Sequence, residues 1–403
     1  MLLINNVQMI DAFSSRYGSL LIEEGKIKVI IDTDQPTEME HLSKLASSVD
    51  IKIIEGEGLT LMPAFIDIHC HLRYPGFEYK EDLESGQRAA LKGGYSTLVA
   101  MANTKPACDN EETLKGILQK SKELDLCDIY QAAAITKGLE GKELVAFQEL
   151  LLHTSLFSDD GNTIFNQDIM KSAIEASNKD KFKILVHAQP ETQIIERDLV
   201  LAEELGGSLH FCHVSKAASL KLIKEAKAKG MAITCEVAPH HLFAHGLDYR
   251  VNPSFRGEED VKSLLKGITE GSIDMIATDH APHSQEDKEK GAPGISSIEV
   301  AFSMVNTVLQ ENGIELNTLS RLMSYQPAKF LGINSGLIKE GYEANLVLVD
   351  LKEKFQLKPE EFISKGKNNP FAGAILKGRV KMTLKRGRAM YDDKQKISGG
   401  ISQ

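Results

Sequence analysis

Strand-like and helical stretches alternate through the middle of this sequence. That alternation predicts an α/β protein built on a (β/α)8 barrel of the TIM type, with a small β-sandwich domain made from both termini. Three observations carry the reading. Eight candidate strands end near His71, Asn103, Thr136, Asp160, His187, His213, Ala238 and Asp279. Successive ends lie 24 to 41 residues apart, each interval long enough for one strand–helix unit. The residues able to do chemistry gather at those ends, where barrels of this type carry their function. The barrel is assigned residues 61–334, and residues 1–60 and 335–403 the composite β-sandwich.

The terminal assignment rests on short strand runs. Leu2 to Ile10 is one, and Gly18 to Ile31 is another, broken by the turn Glu24-Gly25-Lys26. Near the other end, Asn345 to Asp350 and Val380 to Tyr391 read the same way, the latter turning at Lys385-Arg386-Gly387. Neither end holds enough apolar strand for a stable sheet alone, so one shared domain is the economical reading.

Bulk composition narrows the function. Of 403 residues, 42% are hydrophobic and 26% charged, as in proteins with a sizeable core. The net charge of −10 argues against a nucleic-acid surface. Five scattered cysteines without a CxxC pair suit a reducing cytoplasm. No run approaches the roughly 20 apolar residues that a membrane span requires.

The first barrel strand, Phe65 to Arg73, alternates strictly. That pattern puts Asp67, His69, His71 and Arg73 on one face and Ile66, Ile68, Cys70 and Leu72 on the other. Two histidines at i and i+2 can reach one metal ion through neutral imidazoles. Such a pair alone is more often structural. Its company changes the reading, because His187, His213 and Asp279 each end a later strand, and Asp159 and Asp160 add a carboxylate able to bridge two ions. A metal site of this kind activates water at neutral pH and polarises the carbonyl it attacks. Asp279 can then carry the proton from water to a departing amide nitrogen. Arg73 is placed to hold a substrate carboxylate through paired hydrogen bonds.

These residues also carry a family pattern. His69-Cys70-His71-Leu72-Arg73-Tyr74-Pro75-Gly76, Met101-Ala102-Asn103-Thr104-Lys105-Pro106, Phe157-Ser158-Asp159-Asp160-Gly161, Cys212-His213-Val214-Ser215, Glu236-Val237-Ala238-Pro239-His240-His241-Leu242 and Ala277-Thr278-Asp279-His280-Ala281-Pro282-His283 occur in order. The series resembles the dihydroorotases of the amidohydrolase superfamily, from about residue 56 to 390. The resemblance implies two zinc ions (Zn2+) per chain: His69, His71 and Asp279 on one, His187 and His213 on the second, with Asp160 bridging. It implies that Asp279 is the general acid–base. Arg73, Asn103 and His283 would bind the dihydroorotate carboxylate, with Asn252, Pro293 and Gly294 lining the rest. The implied reaction is the reversible interconversion of N-carbamoyl-L-aspartate and L-dihydroorotate in pyrimidine synthesis. A homodimer and an association with aspartate transcarbamoylase are the partners to consider.

Two rivals are weaker. An allantoinase or hydantoinase acts on a ring without a carboxylate and would leave Arg73 nothing to pair with. A non-catalytic scaffold for aspartate transcarbamoylase would be expected to have lost metal ligands, and every one is retained here. Other features read as structural. His240 and His241 would face opposite ways on a strand. His41, His153, His210 and His245 read as surface or packing residues, and Cys70 and Cys212 as outer-face packing. The charge run Gln285–Lys290 reads as a solvated loop that could also close over the site.

Overall fold

A computed structural model describes residues 1–33 and 51–393, so His41 lies outside the described residues. The chain opens with β1 (Leu2–Ile10), β2 (Ser15–Glu23), β3 (Lys26–Asp32), β4 (Lys52–Glu55) and β5 (Thr60–Pro63). The barrel strands follow: β6 (Phe65–Cys70), β7 (Tyr95–Ala100), β8 (Asp128–Gln131), β9 (Leu156–Phe157), β10 (Lys183–Val186), β11 (Ser208–Phe211), β12 (Ile233–Val237) and β13 (Met275–Ile276). The last three are β14 (Leu346–Gln356), β15 (Ile375–Lys385) and β16 (Arg388–Asp392).

Both chain ends meet in one sheet, ordered β16-β15-β14-β5-β1-β2-β3, with β4 also paired to β1. Its β3 edge folds back onto the residues before β14, where Gly341 N–H donates to Ile27 O (2.8 Å) and Ala344 N–H to Gly25 O (2.8 Å). The enclosed core takes Ile4, Val7, Leu20 and Ile27 from the first strands and Leu346, Leu348 and Leu384 from the last. Neither terminus could bury these side chains alone, which is why the two combine.

The barrel strands run parallel in two ladders, β6-β7-β8 and β9 through β13. Parallel bridges Ala133–Phe157 and Cys70–His280 close the ring. Helices pack outside it. Those at Leu83–Lys92, Glu111–Leu124 and Gln167–Asp180 start at Asp82, Asn110 and Asn166, whose side chains cap free N–H groups. Their buried positions recur every three to four residues, as Leu114, Ile117 and Ser121 do. Inside, Ile66, Ile68, Val99, Leu156, Leu185 and Met275 pack with Phe330 of the helix Gln326–Leu331.

Two local expectations change. The face assigned to Ile66, Ile68, Cys70 and Leu72 is split: Ile66 and Ile68 pack inside the barrel, whereas Cys70 and Leu72 pack with the helices. The cause is a register shift between Asp67 and Cys70 where β6 pairs β7, which a period-two pattern does not show. The run from Gln285 is a short helix, Gln285–Glu289, because Ser284 and Asp287 form a reciprocal cap.

Candidate active site

The barrel ladders stop one to five residues before the strand ends read from the sequence. Apart from His69, which lies inside β6, the site residues therefore sit on turns and loops beyond the sheet. Three of them, Arg73, His213 and Asp279, hold left-handed backbone, at φ 59°, 36° and 46°. Non-glycine residues rarely adopt this conformation, and its clustering in one place is typical of functional sites.

These turns bring the predicted ligands together. Asp160 Oδ1 lies 3.3 Å from His69 Nε2, 3.2 Å from His187 Nδ1 and 3.6 Å from His213 Nε2, and its Oδ2 lies 3.4 Å from His71 Nε2. Asp279 Oδ1 is 3.3 Å from His71 Nε2 and 3.7 Å from His69 Nε2. His213 Nε2 and His187 Nδ1 are 2.9 Å apart. Asp159 faces elsewhere and is saturated by the Ile135 and Thr136 N–H groups (2.8 and 3.0 Å) and the Thr136 hydroxyl.

The geometry fits metal ions. Nitrogen and oxygen ligands about 2.0–2.2 Å from a tetrahedral zinc lie roughly 3.3 Å from one another. The contacts around Asp160 and Asp279 cluster near that spacing. His69 Nε2 is fully buried and has no hydrogen-bond partner. Such an atom is costly to bury unless something binds it. Among the described residues, His69-His71-Asp279 and Asp160-His187-His213 are two of four groups whose donor atoms lie close enough together to hold a metal ion. Burial opposes ionisation of Asp160 and Asp279, yet the surrounding histidines hold both carboxyls below the usual carboxylate range.

Residues around the ligands fix their orientation. His69 Nδ1 donates to Glu236 Oε1 at 2.7 Å, which leaves Nε2 facing the other ligands. Glu236 Oε2 is met by His210 Nε2 at 3.1 Å, and His210 Nδ1 by Thr234 Oγ1 at 2.9 Å. Burial raises the Glu236 carboxyl, but His69 and His210 bring it down to about 2. His71 Nδ1 is 2.9 Å from Asn103 Oδ1, and the Asn252 amide is 3.0 Å from His187 Nε2. The sequence reading missed Glu236 as an orienting group, although a carboxylate inside the apolar strand Ile233–Val237 was a usable signal. It also misplaced Cys212, Asp67, His240 and His241. His210 is bonded to Glu236 beneath the site. Cys212 packs inside the barrel near His69, not on its outer face. Asp67 turns from the ligands to accept from Thr278 N–H (2.8 Å). His240 and His241 sit on a helical turn, Pro239–Phe243, both buried, with His241 Nε2 donating to Pro253 O (3.0 Å).

Above the ligands opens a cleft of about 160 Å³. Of the twelve predicted site residues, eleven line it, and His69 lies buried below. Arg73 reaches it from one side. Its Nε donates to Pro282 O (3.3 Å) and its Nη2 to His283 Nε2 (3.2 Å), so part of the fork is already engaged. Burial, with the charges of Arg73 and Lys80, pushes the His283 imidazole down to about 3, which keeps it neutral. Pro293 and Gly294 form another wall. Gly294 has φ 139°, and a Cβ there would meet Ala281 at 2.7 Å, so only glycine fits.

Comparison with known proteins agrees with this geometry. Residues 60–390 match the amidohydrolase family. The chain is 42% identical to a dihydroorotase of Clostridium botulinum, covering 97% of this chain and 99% of that protein. It is 36% identical to a dihydroorotase of Aquifex aeolicus over 97% and 99%. Among solved structures, the L-hydantoinase of Arthrobacter aurescens superposes with a TM-score of 0.85 at 22% identity, covering 96% of this chain and 95% of that one, a likeness of fold. A buried donor set suited to metal, a cleft lined by an arginine and full-length relatives of one kind converge: the chain belongs to the amidohydrolase family and, within it, to the dihydroorotases.

Proposed function

We propose that the protein is a dihydroorotase, catalysing the reversible hydrolysis of the L-dihydroorotate ring to N-carbamoyl-L-aspartate in pyrimidine synthesis. The observation that carries this reading is Arg73 in the same cleft as the ligand cluster, which gives a ring carboxylate a partner beside the hydrolytic centre. His69, His71, Asp160, His187, His213 and Asp279 would hold two zinc ions, which would supply the Lewis acidity that polarises the ring amide and lowers the pKa of water. Asp279, ionised in its setting of histidines, takes the proton of the attacking water and delivers it to the departing ring nitrogen. Arg73, Asn103 and His283 hold the substrate carboxylate. Asn252 and the Pro293–Gly294 wall close the ring from the other side.

In this reading residues 61–334 are the catalytic domain, and 1–60 with 335–403 are accessory. The cytoplasm is the proposed location, supported by the biosynthetic substrate and by five buried cysteines without disulfides. Among the described residues no helix is long and apolar enough to cross a membrane. A homodimer and an association with aspartate transcarbamoylase are further proposals, testable by light scattering with and without that enzyme. The test of function is turnover of dihydroorotate, hydantoin and allantoin by one zinc-loaded preparation. Dihydroorotate is expected to be preferred by at least about 100-fold in kcat/KM, because a site built to bind a charged group rejects substrates lacking it. Equal or better turnover of hydantoin would overturn the assignment.

A further inference from the structure

The charged run after His283 has no part in the chemistry above, yet it touches three segments that border the cleft. Its short helix presents two side chains. Asp287 accepts from the Tyr79 hydroxyl (3.2 Å) and lies 3.5 Å from Lys80 Nζ, on the segment that follows Arg73. Lys288 Nζ donates to three backbone carbonyls, Arg250 O at 3.0 Å, Ala292 O at 2.7 Å and Gly294 O at 3.1 Å. It also sits 4.2 Å from the centroid of the Tyr249 ring. An ammonium has three N–H bonds, and the three carbonyls use them all. They flank Asn252 on one loop and Pro293 on the other. A backbone bond from Gly294 N–H to Arg250 O (3.2 Å) joins the same two loops.

We infer that Lys288 is a positioning residue for the substrate: its ammonium staples the Asn252 loop to the Pro293–Gly294 wall and so sets the width of the cleft. Lys288 touches none of the predicted metal ligands. Its loss therefore acts first on substrate fit, and reaches the metal centre only through the Asn252 amide, 3.0 Å from His187 Nε2. Methionine keeps the stem without the donors. Arginine keeps the charge, but its planar fork cannot send three bonds to three converging carbonyls.

The inference rests on the dihydroorotase reading, and the test separates the two. KM and kcat for dihydroorotate, and metal content, are measured for zinc-loaded wild type, Lys288→Met and Lys288→Arg. Hydrogen exchange is followed at the Gly294 amide. Lys288→Met is expected to raise KM about tenfold, with kcat within about threefold and metal content unchanged. Gly294 should exchange faster, and Lys288→Arg should recover part of the KM. An unchanged KM, unchanged exchange at Gly294, or a variant that loses metal and kcat together would overturn the role. If Lys288→Met folds poorly, the same KM and exchange comparison is made with Lys288→Gln. A wild type without dihydroorotate turnover would instead sink the functional reading, while the exchange comparison would still report on the staple.

Discussion

Two charged hollows among the described residues lie at opposite ends of the barrel, and the smaller is the one suited to chemistry. The larger, of about 710 Å³, lies between the starts of β7 and β8 and the terminal sheet. Its cations Lys385 and Arg386 are matched within the protein. Lys385 Nζ sits 3.2 Å from Asp125 and 3.1 Å from Asp128, and Arg386 reaches Asp128 at 2.9 Å and Glu343 at 3.2 Å. At the rim cleft, imidazole nitrogens and carboxylate oxygens crowd within 4.8 Å, and His69 Nε2 has no hydrogen-bond partner. Volume does not mark a site here. Imidazole nitrogens and carboxylate oxygens crowded at metal-ligating distance do mark it.

The contrast can be pressed by substitution, beginning at the rim. Arg73→Ala is expected to lower kcat/KM for dihydroorotate about 30- to 1000-fold, the loss of a charged hydrogen bond in a desolvated site, with metal content unchanged. Hydrolysis of a ring without the carboxylate should change far less, and Arg73→Lys should recover little because a point charge lacks the planar fork. Equal losses on both substrates would make Arg73 a structural residue.

One layer deeper, Glu236→Gln should weaken metal binding by about 10- to 100-fold, read from competition with a chelator. Glutamine keeps the shape but gives up the negative charge that His69 and His210 share. Unaltered metal affinity would show that His69 needs no such partner.

At the opposite end the effect should be smallest on activity. Lys385→Met removes a buried ammonium from Asp125 and Asp128, both partly exposed, and should lower unfolding free energy by about 1–2 kcal/mol. Its kcat/KM should stay within about twofold of wild type, since the pairs lie far from the rim. A large activity loss without a stability change would give the larger hollow a functional role.

The same contrast explains what could be read from sequence. The barrel was legible because each strand–helix unit leaves a local pattern, and the terminal sheet because its strands carry their own turns. The ligands were legible because each sits at or just past a strand end. The β6 register shift was not, since one residue of slip leaves the pattern of apolar and polar types intact. The His69–Glu236 pair was hidden by 167 residues of separation, which no short motif spans. Lys288 sat in a run that reads as solvated charge, and only the folded loops show the carbonyls it collects.

The central claim is that the histidine and aspartate donors gathered at the rim are there to hold metal. The most direct measurement is elemental analysis paired with dihydroorotate turnover, before chelation, after prolonged chelation and after adding zinc back, for wild type and His187→Ala. The account predicts about two ions per wild-type chain, activity abolished with their removal and restored with zinc, and about one ion in the variant. Full turnover by wild-type protein verified to be free of metal would contradict it.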